Sequence, residues 1–193
     1  SWGRGGSGQL GHGNRQNQLL PKKVETLAGQ RVVAVSAGRF HSLALTADGS
    51  VWSWGDGDYG KLGHGDRQNQ LLPKKVEALA GRRVVAVSAG REHSLALTAD
   101  GAVWSWGRGT YGMLGHGDQQ SQLRPAAGEA WARQHVVAVS AGDFHSFALT
   151  ADGSVWSWGE GDNGKLGHGD QQNQQMGREA GGVAVQRAVA AGA

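Results

Sequence analysis

Apolar and polar residues alternate in short runs along this chain, and glycine bounds most of the runs. In HSLALT, residues 41–46, the alternation places Leu43 and Leu45 on one side of a strand. In SVWSW, residues 50–54, it places the two tryptophans on one side in the same way. Apolar spacing typical of a helix is not sustained over any dozen residues. The pattern therefore predicts short β-strands.

Two further segments complete the predicted unit. VVAVSAG, residues 32–38, is a run of β-branched and small residues that ends in glycine, as expected of a strand. PKKVETL, residues 21–27, predicts a fourth, weaker strand, whose leading proline suits a sheet edge or a strand start. The connection ADG, residues 47–49, predicts a tight turn, because glycine readily adopts the left-handed conformation needed after a type I turn. The glycines predicted to close these turns are Gly49, Gly101 and Gly153.

The predicted unit repeats with a period of 52 residues, which separates Trp2, Trp54, Trp106 and Trp158. A fixed period indicates one supersecondary unit that buries its faces against its neighbours. Four strands in about 50 residues are typical of a β-propeller blade. We therefore predict an all-β fold, a partial β-propeller of four-stranded blades. The predicted repeats are residues 1–49, truncated at the N-terminus, 50–101, 102–153, and 154–193, which is partial and divergent.

Composition favours a turn-rich folded protein without cysteine chemistry. Glycine supplies 34 of 193 residues, and the eight tryptophans argue against disorder. Because there is no cysteine, neither a disulfide nor a thiolate metal site is possible, and a cytoplasmic or nuclear protein is expected. No apolar run reaches the roughly 18 residues that a membrane-spanning helix needs. We expect no membrane segment.

The charge balance does not indicate a nucleic-acid binder. The 19 basic and 16 acidic residues are mixed along the chain and give a net charge of +3. Nucleic-acid-binding proteins usually cluster positive charge on one face. The local basic spots are short and lie near acidic residues; they are Lys22-Lys23, Lys74-Lys75 and Arg82-Arg83. Binding to nucleic acid is therefore not expected.

The repeated motifs offer no convincing metal or catalytic site. The loop GDGDYGKLGHGD, residues 55–66, lacks the ligand spacing of an EF-hand, and the third unit has Arg108 and Thr110 at its aspartate positions. The repeated histidines occupy equivalent corners of successive blades, which would hold them apart rather than gather them around an ion. Serines directly follow the repeated histidines, as in a candidate base–nucleophile pair. Neighbouring strand residues point to opposite faces, so the two side chains cannot act together. We predict no catalytic residue, cofactor or metal, and a structural role for Trp54, Trp106, Trp158, His41, His93 and His145.

The order of these motifs matches a known family. HSLALTADGSVWSWGDGDYGKLGHGD, followed by PKKVEAL and VVAVSAG, resembles the repeat of the regulator of chromosome condensation family. The resemblance runs from residue 1 to about residue 174, and it implies blades of a seven-bladed propeller. It also implies protein partners, since members of the family act as docking modules in large ubiquitin ligases or as exchange factors for small GTPases.

Two features depart from the family pattern. Fewer than four units are present, and the chain begins and ends inside a motif, so we expect a piece of a larger protein. The last stretch, residues 171–193, loses the pattern: Gly177 stands where proline is expected, and RAVAAG, residues 187–192, only faintly matches VAVSAG. Either a divergent blade begins there or the native sequence has been lost.

Light sensing is a further function found in this family, in the plant UV-B photoreceptor. The sensing aromatic cluster of that protein rests on a GWRHT-like stretch. The matching stretches here are GRFHS, GREHS and GDFHS, with Arg39, Arg91 and Asp143 in place of that tryptophan. We therefore expect the tryptophans of this chain to form blade cores.

The positions that differ between the repeats are the candidates for function, since a shared scaffold carries its specificity on what varies. They fall in the turn before the repeated histidine and in the glycine-rich loop. We predict a partner-binding rim that includes Arg39, Phe40, Asp58, Tyr59, Arg91, Glu92, Arg108, Tyr111, Asp143 and Phe144. Arginine and tyrosine are common anchors of protein interfaces.

The function predicted from the sequence is a non-catalytic protein-interaction scaffold, as part of a larger protein such as a repeat-containing ubiquitin ligase. The first alternative is a guanine-nucleotide exchange factor for a small GTPase. The second is a structural module that self-associates through exposed blade faces and strand edges. The expected partner is a protein, either a small GTPase or a member of the ubiquitin pathway.

Overall fold

The computed structural model describes residues 1–128 and 134–181, which form three antiparallel sheets of four strands. Sheet 1 contains β1 (Val32–Ala37), β2 (His41–Thr46), β3 (Val51–Gly55) and β4 (Gln70–Lys75). Sheet 2 contains β5 (Val84–Ala89), β6 (His93–Thr98), β7 (Val103–Gly107) and β8 (Gln122–Ala127). Sheet 3 contains β9 (Val136–Ala141), β10 (His145–Thr150), β11 (Val155–Gly159) and β12 (Gln174–Glu179). The prediction of an all-β chain built of four-stranded sheets is confirmed.

The fourth strand is shifted relative to the sequence-based prediction. In sheet 1 it starts three residues before Pro73 and ends at Lys75, and the following Glu77–Leu79 forms a 3₁₀ turn. The predicted strand at residues 21–27 is wrong in the same way, because Glu25–Leu27 is a 3₁₀ turn. In sheet 1 the physical reason is burial, because Val76 and Leu79 turn into the core after the strand and are 1% and 3% exposed. The turn Glu25–Leu27 contains no buried residue.

Sheets 1 and 2 each bury a leucine-bearing face against the tryptophan-bearing face of the following sheet. The register pairs Leu45 with Val51 on one face, while the tryptophans project from the other. Leu45 and Val51 pack with Trp106 of sheet 2 in one core, and the equivalent face of sheet 2 packs with Trp158 of sheet 3 in another. Small residues such as Ala96 sit between the large ones and allow the sheets to approach closely.

The turns between the second and third strands have the expected left-handed glycines. The backbone φ angles of Gly49, Gly101 and Gly153 are 84°, 84° and 91°. In the first of these turns the Thr46 hydroxyl donates to an Asp48 carboxylate oxygen at 2.5 Å, and the Ser50 amide donates to the same oxygen at 3.1 Å. The side-chain hydrogen bonds fix the turn, and they explain why ADG is kept in every repeat.

The strands run from an inner to an outer position in each sheet. The first strands, β1, β5 and β9, contact one another across the sheets, so they are innermost, and the fourth strands are outermost. Residues 1–31 cover the outer part of the tryptophan face of sheet 1, where Trp54 donates its indole N–H to the Gln9 carbonyl at 2.8 Å. A bridge between Gly3 and Gln18 repeats the pairing of Gly55 with Gln70.

The sheets do not coincide with the sequence repeats. Each predicted repeat boundary falls in the turn between a second and a third strand, so each sheet combines strands from two successive repeats. At the C-terminal end, β12 pairs with β11 although Gly177 replaces the repeated proline. The faint RAVAAG match at residues 187–192 lies outside the described residues. No helix in the described ranges is long and apolar enough to span a bilayer.

Candidate functional site

Residues that differ between the repeats lie at one end of the sheets. Because His41 pairs with Gly55, the turn that enters the second strand lies beside the loop that leaves the third strand. We call this end the upper rim; it comprises the turns 38–40, 90–92 and 142–144 and the loops 56–69, 108–121 and 160–173. The opposite end, with the turns 47–50, 99–102 and 151–154, is the lower rim.

Lys61 is the buried centre of a first group of rim residues. Its side chain is 0% exposed, and its Nζ forms ion pairs with Asp56 and, at 2.7 Å, with Glu92. The ring centroids of Phe40 and Tyr59 lie 5.9 and 6.0 Å from the same nitrogen. A buried ammonium group needs such partners, since an unpaired charge is costly to desolvate. Because Glu92 belongs to sheet 2, the ion pair ties two sheets together.

Three arginines of the upper rim lie over aromatic rings. The distances from Cζ to the ring centroid are 5.2 Å for Arg39 over Phe40, 4.9 Å for Arg91 over Phe144 and 4.9 Å for Arg108 over Tyr59. Arg91 also approaches Asp143, with its Nη1 3.8 Å from the aspartate Oδ2. Tyr111 meets Phe144 edge to face, at 5.9 Å between centroids. Such stacking holds a guanidinium in place while leaving part of it open to solvent.

Nine of the ten predicted rim residues take part in these contacts. The exception is Asp58, which lies in the same loop as Tyr59 and is exposed. Among the described residues, no cationic group lies within ion-pair distance of its carboxylate. Asp58 therefore belongs to the rim by position but not to the contact network.

The same loops hold non-glycine residues in a strained backbone conformation. The φ angles of Tyr59, Tyr111 and Asn163 are 60°, 63° and 59°. Asparagine tolerates this left-handed region, whereas tyrosine rarely occupies it. Non-glycine residues in sparsely populated conformations are frequent at functional sites. The two tyrosines are thus held at the rim against a local backbone cost.

Sequence reasoning missed Lys61, because a lysine in a glycine-rich loop looks like a surface residue. A signal was nevertheless present in the repeats. Lys61 accompanies Asp56 five residues earlier, and Lys165 accompanies Glu160 in the same way. Where the acidic position becomes arginine, in the third repeat, the lysine becomes Met113. This joint change indicates an acid–lysine pair, and the structure contains both pairs.

The repeated histidines at the start of the second strands link neighbouring sheets. His41 Nε2 lies 2.8 Å from Ser94 Oγ, and the Ser94 hydroxyl donates to the Lys61 carbonyl at 2.8 Å. Since that hydroxyl proton is already used, the imidazole must be the donor in the first contact. His93 makes the equivalent link through Ser146. The adjacent His–Ser pairs in the sequence do not interact; the pairing is between sheets.

Burial keeps these imidazoles neutral. Desolvation, with a smaller effect of Lys61, lowers the pKa of His41 to about 3, and desolvation lowers the pKa of His93 to about 3. Desolvation also lowers the pKa of His145, which is only half buried. A buried serine whose proton is donated to a backbone carbonyl is not available as a nucleophile. These residues are placed to join sheets.

A second set of histidines acts within single sheets. His64 Nε2 lies 3.0 Å from Ser53 Oγ, which donates to the Leu62 carbonyl at 2.7 Å. Burial lowers the pKa of His64 to about 4. Equivalent contacts to serine are made by His12, His116 and His168. In residues 1–128 and 134–181, no three His, Asp or Glu side chains are placed to hold one metal ion.

The sequence and the architecture are both similar to those of known proteins. The whole chain, residues 1–193, matches the family model described as RCC1-like domain. Among solved structures, yeast RCC1 (Prp20) in complex with Kap60 superposes with a TM-score of 0.80 at 26% identity, over 96% of this chain and 45% of that one. The predicted propeller architecture and the resemblance to the chromosome-condensation repeats are confirmed.

Two curated relatives share more of the sequence. The human E3 ubiquitin-protein ligase HERC2 is 46% identical over 171 residues, which is 88% of this chain and 4% of the ligase. The ultraviolet-B receptor UVR8 of Arabidopsis thaliana is 38% identical over 174 residues, 90% of this chain and 40% of the receptor. The chain thus spans less than half the length of either relative.

Proposed function

The chain belongs to the RCC1-like domain family, and we propose that it acts as a non-catalytic module whose upper rim binds a partner protein. One observation carries the proposal: nine of the ten varying positions make contacts at one end of the sheets, in one group around Lys61 and a second around Phe144. The positions that stay constant, such as Trp106 and His93, make the packing between sheets. The division indicates a scaffold with one surface adapted to a ligand.

The chemistry of the rim favours a protein over a small molecule. Arginines backed by aromatic rings and tyrosines held by the backbone supply large, rigid side chains, which are typical anchors of protein interfaces. Arg91, Phe144 and Tyr111 form one such anchor group. The similarity to HERC2 supports the view that the module belongs to a ubiquitin-pathway protein. A cytoplasmic or nuclear location remains part of the proposal.

The proposal is tested by locating the binding surface. A photo-crosslinking residue placed at Tyr111 should capture a partner protein from cells, whereas one placed at the exposed Ala151, in the lower-rim turn of sheet 3, should not. The captured protein is then purified, and its affinity is measured for R91D and Y111N. Both variants carry residues that equivalent positions already accommodate, Asp143 and Asn163. An affinity unchanged by both variants, or equal capture from the two rims, contradicts the proposal.

Nucleotide exchange is the second candidate function, favoured by the similarity to yeast RCC1. Exchange requires no chemistry from the protein, only tighter binding to the nucleotide-free GTPase than to the loaded one. The chain is mixed with small GTPases that carry a fluorescent nucleotide, and release is followed over time. Accelerated release that R91D abolishes establishes exchange in place of docking alone.

Self-association is the third candidate. The residues Leu97 and Val103 of sheet 2 are each 2% exposed, whereas their counterparts in sheet 3, Leu149 and Val155, are only partly buried. A partly open apolar sheet face favours association. Light scattering over a range of protein concentrations tests this, and a monomer at every concentration rejects it.

A further inference from the structure

A groove on the lower rim, between sheets 1 and 2, is lined by positive charge. It has a volume of about 310 Å³ and lies between the turn 47–50 and the residues that lead into β5. Lys75, Arg82 and Arg83 line it, with Asp48 as the acidic residue among its lining. A neighbouring hollow shares Lys75 and adds Lys74, Arg124 and Glu77. The two hollows together contain five cationic side chains and two carboxylates.

None of these cationic groups forms an ion pair with a described residue, in contrast to the buried Lys61. The carboxylate of Asp48 instead accepts hydrogen bonds from Thr46 and Ser50. Arg82 is also held in position, because its Cζ lies 4.0 Å from the centroid of the Trp104 ring. A guanidinium fixed in this way loses little freedom when it binds an anion.

The fold does not require this charge. The strands that flank the junction between sheets 2 and 3 pair in the same register, but the residues at the equivalent positions are Ala126, Ala127, Gln134, His135 and Met176. In order, they stand at the positions of Lys74, Lys75, Arg82, Arg83 and Arg124. The positive charge is thus concentrated at one junction and absent from an equivalent one. We interpret this difference as the mark of a binding site.

We propose that this groove binds a phosphorylated segment of a partner protein, with the phosphate between Lys75, Arg82 and Arg83. A phosphomonoester brings a charge of about −1.5 to −2 in one compact group, and arginine forks match its oxygens. Two carboxylates of an extended peptide supply the same charge only from alternate residues, because consecutive side chains point to opposite sides. Nucleic acid is disfavoured, since its repeated phosphates need a longer basic track than one junction offers.

The groove with Lys75, Arg82 and Arg83 lies on the lower rim, away from the contact groups of the upper rim, although the neighbouring hollow also reaches Gly63 and His64 of the loop 56–69. The test variant K74A/K75A/R82Q gives three of the five cationic positions the residues of the other junction. The control K22A/K23A/R31Q removes the same amount of charge from the preceding unit, at the equivalents of Lys74, Lys75 and Arg83, because Gln30 already stands at the position of the stacked arginine. Circular dichroism and thermal unfolding establish that both variants fold.

The probe is a fluorescent peptide library with one fixed phosphoserine, compared by anisotropy with the same library carrying serine or glutamate. We expect the full chain to bind the phosphoserine library, the test variant to lose affinity at least about tenfold, as expected for lost charge-assisted contacts, and the control to bind as before. Binding should weaken as salt is raised.

Three results overturn the proposal. They are no preference for phosphoserine over serine, preference for glutamate over phosphoserine, and equal loss in the test and control variants. A 20-nucleotide single-stranded DNA and vesicles containing phosphatidylserine are measured in parallel. If either of them binds more tightly than the phosphoserine library, and the test variant loses that binding, the partner is a nucleic acid or a membrane surface and the proposal is wrong.

Discussion

Lys61 shows how a single residue can couple a loop to the neighbouring sheet. The ammonium group is buried, and its two carboxylate partners are largely covered, at 18% and 12% side-chain exposure. Ion pairs of this kind contribute little relative to a well-packed apolar alternative, but breaking one side of them is costly. The third repeat lacks the ion pairs: the buried Met113 replaces the lysine, and Arg108 and Phe144 replace the two acids.

We therefore expect K61M alone to lower the free energy of unfolding by about 2–4 kcal/mol, since Asp56 and Glu92 lose their common partner. The triple variant D56R/K61M/E92F, which copies the third repeat, should recover most of that loss. Urea denaturation measures both. The explanation is wrong if K61M is as stable as the parent, or if the triple variant is no more stable than K61M.

The tyrosines of the glycine-rich loops should show a conflict between stability and binding. Tyr59 occupies the left-handed region at φ 60°, where glycine is free of strain. Y59G should raise the free energy of unfolding by up to about 1 kcal/mol, since the left-handed conformation costs a side-chain-bearing residue about that much. The same variant should bind the upper-rim partner less tightly. A less stable Y59G would show that the contacts of the ring with Arg108 and Lys61 outweigh the backbone strain.

The contacts of these residues could be predicted only in part from the sequence. Variation between repeats identified Phe40, Tyr59 and Arg91, because it reveals which positions the scaffold leaves free. It did not identify Lys61, whose burial depends on Glu92 of the next repeat. The proposed phosphate groove was not predicted for a similar reason. Lys74-Lys75 and Arg82-Arg83 look balanced by nearby acids along the chain, whereas the fold places them around neighbouring hollows without an ion pair to a described carboxylate.

At the scale of elements, the packing of one sheet against the next is reinforced by hydrogen bonds between histidine and serine. The folded-state pKa of His41 and of His93 is about 3, below the ordinary value of 6.5. Between about pH 3 and pH 6.5, the folded protein therefore binds fewer protons than the unfolded chain. Stability is complete above pH 6.5 and decreases as the pH falls towards 3.

We expect the free energy of unfolding to fall by about 1.4 kcal/mol per pH unit for each of these histidines between about pH 6 and pH 4. Urea denaturation at pH 7.5, 6.0, 5.0 and 4.5 measures the slope. H93Q should be less stable than the parent at pH 7.5 but show a shallower slope. A parent protein whose stability is independent of pH in this range contradicts the assignment.

The strands themselves were largely predictable. Three of the four in each sheet follow from alternation and from the ADG turn, because local sequence decides both. The fourth was misplaced, because the prediction started it at the proline of PKKVE, whereas the strand begins three residues earlier, at Gln70. The position of that strand is decided by Leu79 and its neighbours, which need to reach the core between sheets, and no local pattern reveals that requirement.

At the scale of the whole molecule, stability depends on how completely each sheet is covered by the next. Leu97 is 2% exposed between sheets 2 and 3, whereas its counterpart Leu149 in sheet 3 is only partly buried. In a repeat protein, stability is approximately the sum of the repeats and of the interfaces between them. Equivalent substitutions should therefore differ in cost according to their interface.

We expect L97A to lower the free energy of unfolding by about 2–5 kcal/mol, as for a leucine in a closed core, and L149A to lower it by clearly less. Urea denaturation measures the free energy of unfolding of both variants, and unchanged m-values establish that the same transition is compared. Equal losses would mean that Leu149 is as well covered in solution as Leu97, and that another surface closes over sheet 3.

Because every sheet takes strands from two successive repeats, the length of the chain can change without damage to any blade. Duplication or deletion of a 52-residue segment joins equivalent points of the chain wherever the breaks fall, so each interrupted sheet regains a strand of the same kind. Genes for such proteins can thus grow or shrink by unequal recombination at arbitrary breakpoints spaced by one period. Substitutions at rim positions can then distinguish the new copies.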